Sequence, residues 1–130
     1  MSLAYLDTSA FLKLIIVEPE SDALATWLAD WPERVSSMLL QVEARRAVLR
    51  QDASAVRRLR EATARLYLAP VTESLLDAAG RLEPARLRTL DAIHLATALS
   101  LSTRLGVVVT YDRRMIEAAE HLGLPVASQA

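Results

Sequence analysis

Residues 106–112, GVVVTYD, decide how the rest of the chain is read. A short apolar run with β-branched residues, closed by an aspartate, predicts a strand buried on both faces. Asp112 then caps a helix through Ala118, and LPVA (124–127) predicts a closing strand. That strand–helix–strand unit repeats backwards along the chain. Residues 2–6 (SLAYL) form a first strand ending at Asp7, and Thr8 or Ser9 can cap a helix through FLKLIIV. Ser21 opens a helix whose Leu24, Trp27, Leu28 and Trp31 share one face, and Pro32 stops it. RVSS and YLAPV predict further strands. Helices are expected over about 38–50, with Leu40, Ala44, Ala47 and Val48 inward, over about 54–66, and from Thr72 and Glu73 onward. Thr89 caps LDAIHLATALSLSTRL, which is apolar nearly all round and so expected to be buried. Strands alternating with helices predict an α/β fold, a central parallel sheet of about five short strands with helices on both faces. One domain over residues 1–130 is expected at this length.

Composition excludes several chemistries. No cysteine is present, so disulfides, thiolate metal sites and cysteine nucleophiles are ruled out, and a reducing cytoplasmic setting is expected. His94 and His121 are the only histidines, too few for a His-rich zinc site. Lys13 is the only lysine and the glycines number three, so neither a Walker loop nor a G-x-G-x-x-G loop can be written. No run approaches a membrane span, and no secretory leader is expected where Asp7 interrupts the first apolar stretch.

Carboxylates stand in unusual places. Asp7 and Asp112 each follow a strand, where an open parallel sheet binds its ligands. Asp91 lies in the first turn of a nearly apolar helix, and Glu43 shares the inward face of Leu40 and Ala47. Taken singly each has a bland explanation: Asp112 as a helix cap, Asp91 as a complement to a helix dipole, Asp7 as a turn residue, Glu43 as the partner of a buried arginine. Taken together, four acids at one sheet edge would repel unless a hard cation with oxygen ligands sat among them. Mg²⁺ or Mn²⁺ so held is suited to phosphate-ester hydrolysis. Charge is also polarised beneath a net of −1: residues 45–65 hold seven arginines against Asp52 and Glu61, and residues 18–33 hold five acids and no base. The arginines suit either a phosphate backbone or a solvated helix face.

The segments YLDTSAFLKL, LLQVEARRA, RTLDAIHLATAL and VTYDRRMIEAAEHLGLPV, in that order, resemble PIN-domain ribonucleases, especially the VapC toxins of VapBC toxin–antitoxin pairs. The resemblance implies a PIN-like fold and a metal-dependent endoribonuclease that arrests translation. It makes Asp7, Glu43, Asp91 and Asp112 the catalytic and metal-binding quartet for Mg²⁺ or Mn²⁺. Asp7 and Asp91 would be the principal ligands, Asp112 would complete the metal shell, and Glu43 would orient or deprotonate the attacking water. Thr8 and Thr110 would hydrogen-bond those carboxylates or the phosphate. An RNA substrate, a homodimer and a VapB-like antitoxin are implied as partners, with no membrane. Two other uses of the same fold stay open, housekeeping RNA processing and a catalytically inert protein-binding module. A phosphatase of the aspartyl-phosphate type is excluded, since Ser9 stands where its second acid belongs. Trp27 and Trp31 are expected in the core, and an exposed one would be a candidate antitoxin anchor. His94 is expected to be a packing or hydrogen-bonding residue.

Overall fold

The computed structural model describes residues 2–128; Met1, Gln129 and Ala130, included in the expected 1–130 unit, lie outside the described residues. Five parallel strands, β1 (Leu3–Leu6), β2 (Arg34–Ser37), β3 (Tyr67–Ala69), β4 (Leu105–Val109) and β5 (Val126–Ala127), form one sheet in the order β3-β2-β1-β4-β5. The helices between them are α1 (Thr8–Leu12), α2 (Ser21–Leu28), α3 (Leu40–Gln51), α4 (Val56–Thr63), α5 (Glu73–Gly80), α6 (Thr89–Ser100) and α7 (Arg113–His121).

Alternation along the central strands places side chains on two faces. Ala4, Leu6, Val107 and Val109 point into a core with Phe11, Leu24, Leu28, Leu40, Ala44 and Val48. Tyr5, Val35 and Val108 point the other way, against Ala98 and Leu101 at the end of α6. Both faces are covered, which is why β4 reads as an unbroken apolar run. Residues 92–98 of α6 are buried, as its sequence predicts.

The register slips between Leu3 and Ala4, which pair with Leu105 and Val107 and so skip Gly106. A Cβ on Gly106 would stand 2.5 Å from the Trp31 ring and 2.8 Å from Ser2. Trp31 and Trp27, 5.6 Å apart between ring centroids, are partly buried and pack against the larger core. They pack at the sheet's flank, as the core expectation has it, and neither is fully exposed. At the far end of α7, Gly123 takes φ 76°, and Leu124 N–H donates to the Ala119 carbonyl, a helix stop that turns the chain into β5.

Several expected boundaries are corrected. Asp7, not Thr8 or Ser9, caps α1, and the helix ends at Leu12 rather than running through Val17. Arg88 rather than Thr89 occupies the cap position of α6, which stops at Ser100 before a 3-10 turn over Ser102–Arg104. The Arg-rich helix begins with a 3-10 turn, Ala53–Ala55, capped by Asp52.

Candidate active site

The strand order reverses direction between β1 and β4, and the ends of these two strands open a crevice. Asp7 leaves β1 there, its N–H bonded to the Val109 carbonyl (3.2 Å). Its carboxylate is buried and held at both oxygens: Oδ1 accepts from Ser9 Oγ (2.7 Å) and Ala10 N–H (3.0 Å), and Oδ2 accepts from Thr110 Oγ1 (2.5 Å). Burial nevertheless outweighs these bonds and pushes the Asp7 carboxyl above the ordinary aspartate range. Ser9 also accepts from Tyr111 N–H (2.9 Å), so one hydroxyl ties the β1 exit to the β4 exit.

Asp112 ends that second exit. Its Oδ1 accepts from Arg114 N–H (2.9 Å) and Met115 N–H (3.4 Å), so the helix-cap role is real and occupies one of its two oxygens. Asp91, half-buried in the first turn of α6, faces the same crevice. Its carboxyl is raised by burial, then by the negative charges of Asp112 and Asp7, with His94 and, less, Arg88 acting the other way. Three aspartates from three elements therefore share one electrostatic neighbourhood.

Glu43 reaches the crevice from α3. Its Oε1 accepts from Thr8 Oγ1 (2.7 Å) and from His94 Nε2 (2.7 Å). Burial pushes this carboxyl up, but the bonds from His94 and Thr8 win and hold it below the usual glutamate range. His94 is itself buried, and its Nδ1 lies 2.6 Å from the Tyr5 hydroxyl. Two participants thus escaped the sequence reading, Ser9 and Tyr5; His94 is the packing and hydrogen-bonding residue expected, with a carboxylate as its partner. The signal for His94 was present, since it stands three residues after Asp91 on one helix and so shares its face.

Beside Asp91 a cleft of about 760 Å³ runs between α6 and α7, lined among others by Arg86, Arg88, Arg114 and His121. The arginines of α4 do not line it. Arg57 pairs with Glu61 (3.6 Å) and Arg58 with Asp52 (3.7 Å) on exposed surface. The solvated-face explanation fits them.

Among the described residues no three His, Asp or Glu side chains converge closely enough to hold an ion unaided. The acids of the crevice offer hard carboxylate oxygens, and burial, followed by the charges of Asp112 and Asp7, raises Asp91. That chemistry fits Mg²⁺ or Mn²⁺, because Mg²⁺ keeps several waters and takes one or two carboxylates with substrate phosphate rather than a closed protein cage. Among the described residues no helix is long and apolar enough to cross a membrane.

The PIN domain family model matches residues 4–121. The chain is 51% identical over 126 residues to Ribonuclease VapC46 of Mycobacterium tuberculosis, covering 97% of each. In structure it resembles VapBC2 from Rickettsia felis, bound to a promoter DNA fragment (TM-score 0.75, 15% identity, 98% of this chain and 99% of that one). It also resembles a toxin–antitoxin complex from Klebsiella pneumoniae (TM-score 0.70, 22% identity, 87% and 89% coverage). With its strand-end aspartates at the β1/β4 crevice and near-complete alignment to a VapC relative, the chain belongs to the PIN domain family, as a VapC-type member.

Proposed function

We propose that this protein is a metal-dependent endoribonuclease, the toxin of a type II toxin–antitoxin pair. The observation that carries the reading is that Asp7, Asp91 and Asp112 come from three elements into one electrostatic neighbourhood beside the β1/β4 crevice, where burial, and then the charges of Asp112 and Asp7, raise Asp91. The 51% identity to a protein named a ribonuclease gives the reaction class.

In this reading Asp7 and Asp91 are the principal ligands of Mg²⁺ or Mn²⁺, and Asp112 contributes the oxygen its helix cap leaves free. The ion, when bound, supplies an activated water and stabilises the leaving oxygen of the phosphodiester. The chain's own groups do the rest. Thr110, Ser9 and the Ala10 N–H fix the Asp7 carboxylate, so it needs no rearrangement when charge develops. Glu43, held ionised, orients the attacking water or takes its proton. The arginines of the cleft beside Asp91 hold flanking phosphates of the RNA. Partners follow from the toxin reading: a VapB-like antitoxin and a second copy of the chain in a homodimer, in the cytoplasm.

The test is cleavage of RNA by purified protein with Mg²⁺ or Mn²⁺, with excess EDTA, and by Asp7→Asn. Cleavage that EDTA abolishes, with the variant reduced at least about a thousandfold (roughly 4 kcal/mol of barrier), supports the reading. Cleavage that persists in EDTA, or at the wild-type rate in Asp7→Asn, refutes the proposed chemistry. Growth arrest on expression, relieved by an antitoxin co-expressed with it, distinguishes a toxin from a housekeeping nuclease.

A further inference from the structure

Glu43 lies in the first turn of α3, half-buried and acidic, and among the described residues no side chain of its own helix holds it. What holds it comes from two other elements. Thr8, at the start of α1, donates to Oε1 (2.7 Å), and His94, in the middle of α6, approaches the same oxygen at 2.7 Å. A carboxylate oxygen accepts, so at 2.7 Å from Oε1 the His94 Nε2 carries a proton and donates it. The second ring nitrogen is engaged as well, since Nδ1 shares a hydrogen bond with the Tyr5 hydroxyl at 2.6 Å. Tyr5 is 1% exposed and His94 2%, and with Nε2 protonated the phenol hydroxyl donates to Nδ1. An imidazole bonded at both nitrogens and packed on all sides has one orientation. Both donors converge on Oε1, and among the described residues Oε2 has no hydrogen-bond partner.

We propose that Tyr5 and His94 are positioning residues: the buried Tyr5–His94 pair, with Thr8, pins Glu43 through Oε1 and presents Oε2 to the reaction crevice. The inference rests on the endoribonuclease reading and deepens it. Neither residue touches the substrate. They act by removing the rotational freedom of a long side chain whose working oxygen must meet a water in one place, the same logic by which outer partners fix a metal-site carboxylate. A glutamate left loose on α3 would swing into solvent, since its neighbours Val42 and Arg45 are exposed.

Three variants and a spectrum test this. His94→Leu removes the donor, Tyr5→Phe frees one end of the ring, and His94→Gln restores an N–H that can reach Oε1. With an RNA that the wild type cleaves, His94→Leu should lower kcat at least about a hundredfold with KM little changed. His94→Gln should recover most of that loss, and Tyr5→Phe should fall between them. In metal-free wild type, ¹⁵N spectra of the imidazole should show Nε2 protonated. Wild-type kcat in His94→Leu, no better activity in His94→Gln than in His94→Leu, or a ring protonated at Nδ1 alone would each overturn the proposal. An inactive wild type would count against the endoribonuclease reading instead, and the ring spectrum would still decide the Tyr5–His94–Glu43 geometry.

Discussion

Asp7 and Asp91 are held in conditions that disfavour their own charge, whereas Glu43 is held in conditions that favour it. Burial lifts both aspartates, and for Asp91 the neighbouring charges of Asp112 and Asp7 lift it further. A carboxyl whose folded-state pKa is raised contributes stability that is complete below its unfolded value and lost as pH rises through the folded one. Metal-free protein should therefore lose stability as pH climbs upward from about 4, the unfolded aspartate range. Asp91→Asn should flatten that loss and melt higher than wild type at pH 7 in EDTA. Thermal unfolding across pH checks this, and a lower melting temperature for the variant at pH 7 would contradict it. Glu43 works in the opposite sense, its contribution lost only as pH falls through its depressed value. The sequence marked these acids by their positions after strands and inside an apolar helix. It could not reveal their partners, because Glu43 and His94 lie 51 residues apart and meet only in the folded chain.

At the scale of elements, strand identity was legible and helix boundaries were less so. The apolar runs of β1 and β4 announce themselves because both faces of each strand are buried. The caps misled because Asp7, Thr8 and Ser9 are all good capping residues in succession, and the one that wins is the one whose carboxylate also accepts from Thr110. Gly106 was unremarkable in the sequence, yet the bulge between β1 and β4 and the Trp31 ring meet there. Gly106→Ala should cost about 1–3 kcal/mol by forcing Trp31 aside, and Gly106→Val more. Urea unfolding measures it; an unchanged midpoint would mean that the indole yields freely. Between α6 and α7, Arg88 and Arg114 line the cleft next to Asp91. Reversing either to glutamate should weaken RNA binding and reduce the salt dependence of log affinity by about one unit per lost phosphate contact. The same reversal of Arg57 and Arg58, already paired with acids on exposed surface, should leave both quantities unchanged. Binding titrations over a range of salt separate the two patches.

Across the whole molecule, alternating strands and helices predicted a two-sided parallel sheet, and that is the architecture found. The strand order was not readable, since connection lengths alone do not say which strand β4 will join. That order matters most for function. By placing β4 beside β1, it brings Thr110 and Asp112 to Asp7, more than a hundred residues away in sequence. The central claim is that this junction is a divalent-cation site. The most direct test is thermal unfolding of wild type and Asp91→Asn against Mn²⁺ concentration, because it requires no knowledge of the RNA. An ion that binds only the folded chain stabilises it by about 2.7 kcal/mol at a hundred times its dissociation constant, a rise of roughly 8 °C for a domain of this size. The account predicts a rise of that order in wild type that Asp91→Asn loses. No rise at millimolar Mn²⁺, or the same rise in both proteins, would contradict it.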